Sequence, residues 1–133
     1  FSCDTAFKLG LKAREIAETE FPSRPVVIDI TLTTGATLFR TVLNEIQPDN
    51  EEWVKMKRNT VIRFNASSYR FGQRFKKLGR TLKDKALDPT VYTVYGGGFP
   101  IRVEGSKDFI TAVITVSGLK DHEDHYIGQK AVE

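Results

Sequence analysis

A chain of 133 residues with 20 Lys and Arg against 17 Asp and Glu carries a net charge of +3 and is sized for one domain. So even a balance does not match the basic stripe of a nucleic-acid binder. No apolar run approaches the ~20 residues that span a bilayer, so neither nucleic acid nor membrane is expected as a partner. From the N-terminus, Asp4-Thr5 caps a predicted helix reaching about Glu20, with Ala6, Leu9, Ala13, Ile16 and Ala17 on one face. Phe21-Pro22 ends it. PVVIDITLT, 25–33, is β-branched and reads as a strand; Thr34-Gly35 marks a turn, and ATLFRTVL, 36–43, is its hairpin partner.

NEIQPDN, 44–50, reads as a loop. Asp49 or Asn50 then caps a second helix through Trp53, Met56, Thr60 and Phe64, with Glu51 and Glu52 at its positive end. Ser67 or Ser68 caps a further helix carrying Phe71, Phe75 and Leu78, stopped at Gly79. Asp88-Pro89 starts a helical turn. GFPIRVE, 98–104, and FITAVITVS, 109–117, read as strands around the turn EGSKD, and HEDHYIGQKAVE opens a last helix. The order α-β-β-α-α-β-β-α contains two short-linked strand pairs. It predicts an α+β fold with a central antiparallel sheet and packed helices, not a parallel doubly wound one.

Nothing in the chain marks a repeat or a linker, so residues 1–133 read as a single domain. Its first residue is Phe1 and its end falls inside a helical pattern, so both termini are expected to continue into a longer protein. Cys3 is the only cysteine. No intrachain disulfide can form, which favours a reducing compartment, the cytoplasm.

The C-terminal third carries a distinctive pattern: YGGGFPIRVEG, 95–105, then TAVITVSGLKDHEDHYI, 111–127. It resembles the haem-degrading-like domain family, which includes the GlcG-like proteins and the C-terminal domain found beside cobalamin adenosyltransferases. AFKLG, PVVIDITL, LFRTV, DNEEWVKMKRNTVIRF, SSY and LDPTVY extend the match over nearly the whole chain and resemble the uncharacterised branch shared by bacteria and fungi. The resemblance implies a profilin-like fold with helices on both faces of the sheet, a homo-oligomer, and a cleft bordered by the glycine-rich segment. It also implies haem as a candidate ligand. Two positions depart from the branch: Ala66 and Tyr95 stand where it carries histidines. A tyrosinate can ligate ferric haem; alanine ligates nothing.

KRNTVIRFNASSYR, 57–70, is dense in donors. Continued as one helix, it would turn Thr60, Arg63 and Ser67 to a common side, where a guanidinium fork and hydroxyls suit a carboxylate or phosphate. The alternative is a solvated face. Arg58 and Arg63 fall inside the segment that matches the branch. Ser67 and Ser68 suit capping better than nucleophilic attack, because no G-x-S-x-G elbow surrounds them. Gly96-Gly97-Gly98 precedes a strand and lacks dinucleotide-loop spacing; it reads as a place of close backbone approach. His122 and His125 are three apart, but their acidic neighbours suit a helix start, and no metal is assigned. Trp53, Phe64, Phe71, Phe75 and Phe99 read as core, and an apolar pocket rimmed by arginine would suit a tetrapyrrole. The expected ligand-binding set is Arg58, Arg63, Ser67, Ser68, Tyr95, Gly96, Gly97 and His125, around a small anionic ligand, with no catalytic residue assigned. The rival expectation is a non-enzymatic homo-oligomeric adaptor that engages a cytosolic protein partner of the chaperone or sorting machinery.

Overall fold

The computed structural model describes residues 1–133. In chain order it contains α1 (Cys3–Glu20), β1 (Val26–Leu32), β2 (Thr37–Leu43), α2 (Asp49–Phe64), α3 (Ser68–Leu78), a 3-10 turn (Lys83–Lys85), β3 (Gly98–Ile101), β4 (Ala112–Ser117) and α4 (Asp121–Val132). The strands form one sheet in the order β2-β1-β4-β3, with every neighbouring pair antiparallel. The protein is therefore α+β. No helix is long and apolar enough to cross a membrane.

The two central strands explain the longest apolar runs. β4 is buried at all six positions and β1 at six of seven, because helices cover both faces of the sheet at its centre. On one face Val26, Ile28, Ile30, Ile114 and Val116 meet Ala6, Ala13, Ile16 and Ala17 of α1, and Ile127 and Ala131 of α4, in the main core. Each fully buried Val or Ile contributes roughly 1.5–3 kcal/mol over its exposed form. On the other face α2 crosses β3 and β4 and buries Val54 and Val61. Alternation sends Val27, Asp29, Thr31, Val113, Thr115 and Ser117 toward that face.

Several boundaries differ from expectation for local reasons. The cap of α1 is Ser2, whose hydroxyl accepts the amide of Thr5 at 3.1 Å, two residues before Asp4. Asp49 lies inside α2, and Pro48 precedes it without a side-chain cap. The strands expected over 98–104 and 109–117 pair only over Gly98–Ile101 and Ala112–Ser117. Arg102 bends away instead, donating to the carbonyls of Asn65 and Lys107. Asp88 does open a helical turn, its carbonyl accepting from the amides of Val91 and Tyr92.

One correction bears on the site. Residues 57–70 are not one helix. Asn65 takes a left-handed conformation, φ 56°, and ends α2; Ser67 then caps α3. Thr60, Arg63 and Ser67 therefore share no helical side. Thr60 turns inward, its one hydroxyl proton shared between the carbonyls of Met56 and Thr93 while its oxygen accepts the amide of Thr93.

Candidate functional site

α2 buries Val54, Lys57, Thr60 and Val61, and α4 buries Asp124, Ile127, Gly128 and Ala131. Each stripe has the spacing of a core-facing helical face, and each carries one charge within it. The two charges meet. Nζ of Lys57 donates to Oδ2 of Asp124 at 3.0 Å and to the carbonyl of Val116 at 3.0 Å. Oδ1 of Asp124 accepts the amide of Leu119 at 3.1 Å. The side chains are 5% and 2% exposed. Burial pushes the Asp124 carboxyl up to about 6, against the opposing pull of the Lys57 ammonium and the Leu119 amide.

The glycine-rich segment makes this junction possible. Gly97 has φ 136°, and a Cβ there would stand 2.8 Å from Nζ of Lys57 and collide with the Val116 carbonyl. Gly98 lets the backbone of α2 approach equally closely, since a Cβ would lie 2.9 Å from the Lys57 carbonyl oxygen. Without side chains at 97 and 98, the lysine reaches past the start of the edge strand β3 and ties α2 to α4, joining the two helical layers.

Lys57 and Asp124 also line an open groove of about 640 Å³ with Asn50, Trp53, Tyr95, Lys120 and other residues of the β4–α4 turn. Trp53 and Tyr95 meet edge to face, ring centroids 5.6 Å apart. An ammonium has three N–H donors. Two of those on Lys57 are engaged within the chain, which leaves one for a ligand oxygen.

Of the residues expected to bind a ligand, six gather where α3, the glycine-rich segment and α4 meet. Ser68, fully buried, accepts the Gly98 amide at 2.9 Å. Ser67 accepts the Arg70 amide at 3.1 Å. Gly96 packs on Tyr69 and on the carbonyl of Asp121. The ring of His125 stacks on Tyr69 at 4.6 Å and 17°, and its buried Nδ1 has no partner in the chain. Burial holds the His125 pKa below its ordinary value. Tyr95 lies on the groove itself and is half exposed.

Arg58 and Arg63 turn elsewhere. Arg58 donates to the buried carboxylate of Asp29 at 3.4 Å, beside Arg40 at 3.1 Å. It thus fastens α2 to β1. Arg63 donates to the Tyr92 hydroxyl at 2.9 Å and lies over the rings of Tyr92 and Phe64. Neither lines the groove. His122 is exposed while His125 stacks inward, and no three metal-ligating side chains cluster anywhere in the chain.

Sequence reasoning missed the Lys57–Asp124 junction, although a signal exists. A lysine at the i+3 position from Val54 and i−4 from Val61, and an aspartate i−3 from Ile127, occupy apolar stripe positions. Opposite charges in two such stripes imply a buried pair.

An antiparallel four-stranded sheet clad by helices, with a groove at the β4–α4 turn, defines the architectural class. The whole chain, residues 1–133, matches the family described as Haem degrading protein HbpS-like, and it belongs to that family. The UPF0303 protein YBR137W of Saccharomyces cerevisiae is 40% identical over 127 residues, covering 94% of this chain and 69% of the yeast protein. The Ybr137w crystal structure has a TM-score of 0.92 at 38% identity, covering 99% of this chain and 76% of that one. A UPF0303 protein of Rhizobium johnstonii is 37% identical over 132 residues, 99% of this chain and 78% of its own length. The PduOC:heme complex has a TM-score of 0.79 at 19% identity, covering 99% of this chain and 92% of that one, which is a likeness of fold.

Proposed function

We propose that this protein binds a small anionic ligand in the groove at the β4–α4 turn, as a cytoplasmic homo-oligomer, with haem as the first ligand to test. The observation that carries the reading is the position of Lys57: a buried cation on the groove wall with one N–H donor left over. A charged donor in a desolvated setting is worth more to an anion than one in water. Family membership and the haem-bound PduOC structure of the same fold support haem as the candidate.

The residues present suit that group. Tyr95 supplies a phenol oxygen of the kind that ligates ferric haem. Trp53 supplies an apolar face, and Lys120 with the remaining N–H of Lys57 supplies donors for propionates, beside the Asp121 and Asp124 carboxylates that share the groove. Bound haem would bring the iron chemistry; the chain's part is to hold it, and binding is therefore placed ahead of catalysis. Ser67 and Ser68 accept backbone amides and have no imidazole as partner, so a serine nucleophile finds no base there.

Titration with haemin, followed by the Soret band and by fluorescence of the single tryptophan, Trp53, tests the reading. Saturable, stoichiometric binding with quenching of Trp53 is expected, and Tyr95→Phe should alter the Soret position. Absence of saturable binding removes the haem assignment and leaves the adaptor reading as the stronger of the two.

A further inference from the structure

The even overall charge conceals an uneven distribution. Residues 63–85 contain eight Lys and Arg against one Asp, an excess larger than the net +3 of the whole chain. None of the eight takes part in an ion pair, whereas seven Lys and Arg elsewhere do. The single acid, Asp84, accepts the amide of Thr81 and lies near enough to Arg80 and Lys85 to feel their charge, though it forms an ion pair with neither. This segment holds unneutralised positive charge around an aromatic cluster. Phe64 stacks on Phe71 with centroids 4.5 Å apart, and Phe71 meets Phe75 at 4.5 Å. The three rings, with Ala66 and Leu87, line a cavity of about 340 Å³ rimmed by Arg63, Arg74 and Lys85.

Each part of that cavity asks for one part of a ligand. Ring faces and a leucine take an aromatic body. Three cations without carboxylate partners take an anionic group, and an arginine can hold it through two N–H bonds. Arg63 is already oriented, anchored by the Tyr92 hydroxyl at 2.9 Å and laid over Phe64 with 5.3 Å to the ring centroid. The volume lies at the small end of ligand pockets, which suits one or two fused rings. Phe64, Phe71 and Phe75, read from the sequence as core, thus line a small apolar pocket rimmed by arginine. Its lining shares no residue with the groove at the β4–α4 turn.

We propose that the Phe64–Phe71–Phe75 cavity is a second binding site, which takes a small aromatic anion: one or two fused rings carrying a carboxylate, sulfonate or phosphate. The rings lie against Phe64 and Phe71, and the anion is held by Arg63, Arg74 and Lys85. The site is separate from the proposed function and stands or falls without it.

The test uses 1-naphthoate as the probe on the full chain, read by amide NMR shifts. Saturable shifts are expected at Ala66, Phe71, Arg74, Phe75 and Leu87, with a dissociation constant of about 1 mM or tighter for a ligand of this size. Arg74→Ala and Lys85→Ala, both at exposed positions, should each weaken binding about five- to tenfold, in keeping with loss of a charge-assisted contact. The uncharged 1-naphthalenemethanol and inorganic phosphate should each bind far more weakly, since each lacks one half of the recognition. The proposal is overturned if 1-naphthoate gives no saturable shifts up to 10 mM (an upper bound about tenfold above the expected constant). It is equally overturned if the shifts fall at Tyr95 to Gly97 and the β4–α4 turn, or if both alanine variants bind as tightly as the parent.

Discussion

Two regions of this molecule use positive charge in opposite ways. At the α2–α4 junction a single ammonium, Lys57, is buried, paired with Asp124 and bonded to a backbone carbonyl. Along residues 63–85 eight cations are held without any carboxylate partner, most of them on exposed positions. The first charge is part of the architecture, because leaving either partner alone strands an ion in a dry interior. The second set contributes little to folding and is free to meet something from outside. The difference teaches that charge count alone says nothing of role; burial and partnership decide it.

The sharpest way to break the comparison is to remove Lys57. Lys57→Met leaves Asp124 buried without its counter-charge and should cost about 3–5 kcal/mol. For a chain of this length that lowers Tm by about 10–20 °C. Asp124 can relieve the strain by taking a proton, so the loss should shrink at pH 5. The double variant Lys57→Met, Asp124→Leu should return to within about 2 kcal/mol of the parent, because a well-packed apolar pair can replace an ionic one. Thermal melts of the two variants side by side check this. A single variant that costs under about 1 kcal/mol would show that the pair is not structural.

How much of this was legible from sequence depends on the range of the interactions. The order of elements could be read because each signal is local: alternation in PVVIDITLT, the Thr34-Gly35 turn, the stop at Gly79. FITAVITVS read as a strand from its β-branched residues, while its burial on both faces emerged only from the helices packed on either side of β4. Family membership was legible because its motifs span the chain in order. The site was legible only in part. Ser68, Gly96, Gly97 and His125 do come together, since they sit beside the glycine-rich segment that admits close approach. Arg58 faces Asp29 instead, a partner 29 residues away that no local pattern reveals. The Lys57–Asp124 contact spans 67 residues and was hidden among neighbouring surface charges. The basic segment was missed for a different reason: averaging over the chain cancelled it.

The pH dependence sharpens the comparison at the buried junction. An unfolded aspartate ionises near ~3.9, whereas Asp124 in the fold is raised to about 6. Between those values the native state keeps a proton that the unfolded chain has lost. Its stabilising contribution is complete below the unfolded pKa and is lost as pH rises through the folded one. The shift corresponds to about 3 kcal/mol. His125 works in the opposite sense: burial lowers its pKa, so its contribution is present above the ordinary histidine value and is lost as pH falls. Asp124→Asn removes only the first effect. The stability of the parent minus that of Asp124→Asn should therefore fall by about 2 kcal/mol between pH 4 and pH 7, measured by urea unfolding, because at pH 4 the unfolded carboxyl is already half ionised. A difference that stays flat over that range would contradict the raised carboxyl.

The smallest effects are expected in the segment 63–85, and their smallness is the point. Arg74→Ala and Lys85→Ala remove exposed side chains that make no ion pair, so each should change stability by no more than about 0.5 kcal/mol. Lys76 and Lys77 lie in the last turn of α3, where a cation gains about 0.3–1 kcal/mol from the helix dipole; neutralising them should destabilise slightly. The remaining cations repel one another. Added salt screens that repulsion over about 8–10 Å at physiological strength, so the parent should gain stability as salt rises from low concentration. Combining Arg74→Ala with Lys85→Ala should reduce that gain, because fewer like charges remain to be screened. A salt response of the parent that the double variant keeps in full would locate the repulsion elsewhere. It would also remove the electrostatic argument that distinguishes this segment from the paired charges of the rest of the chain.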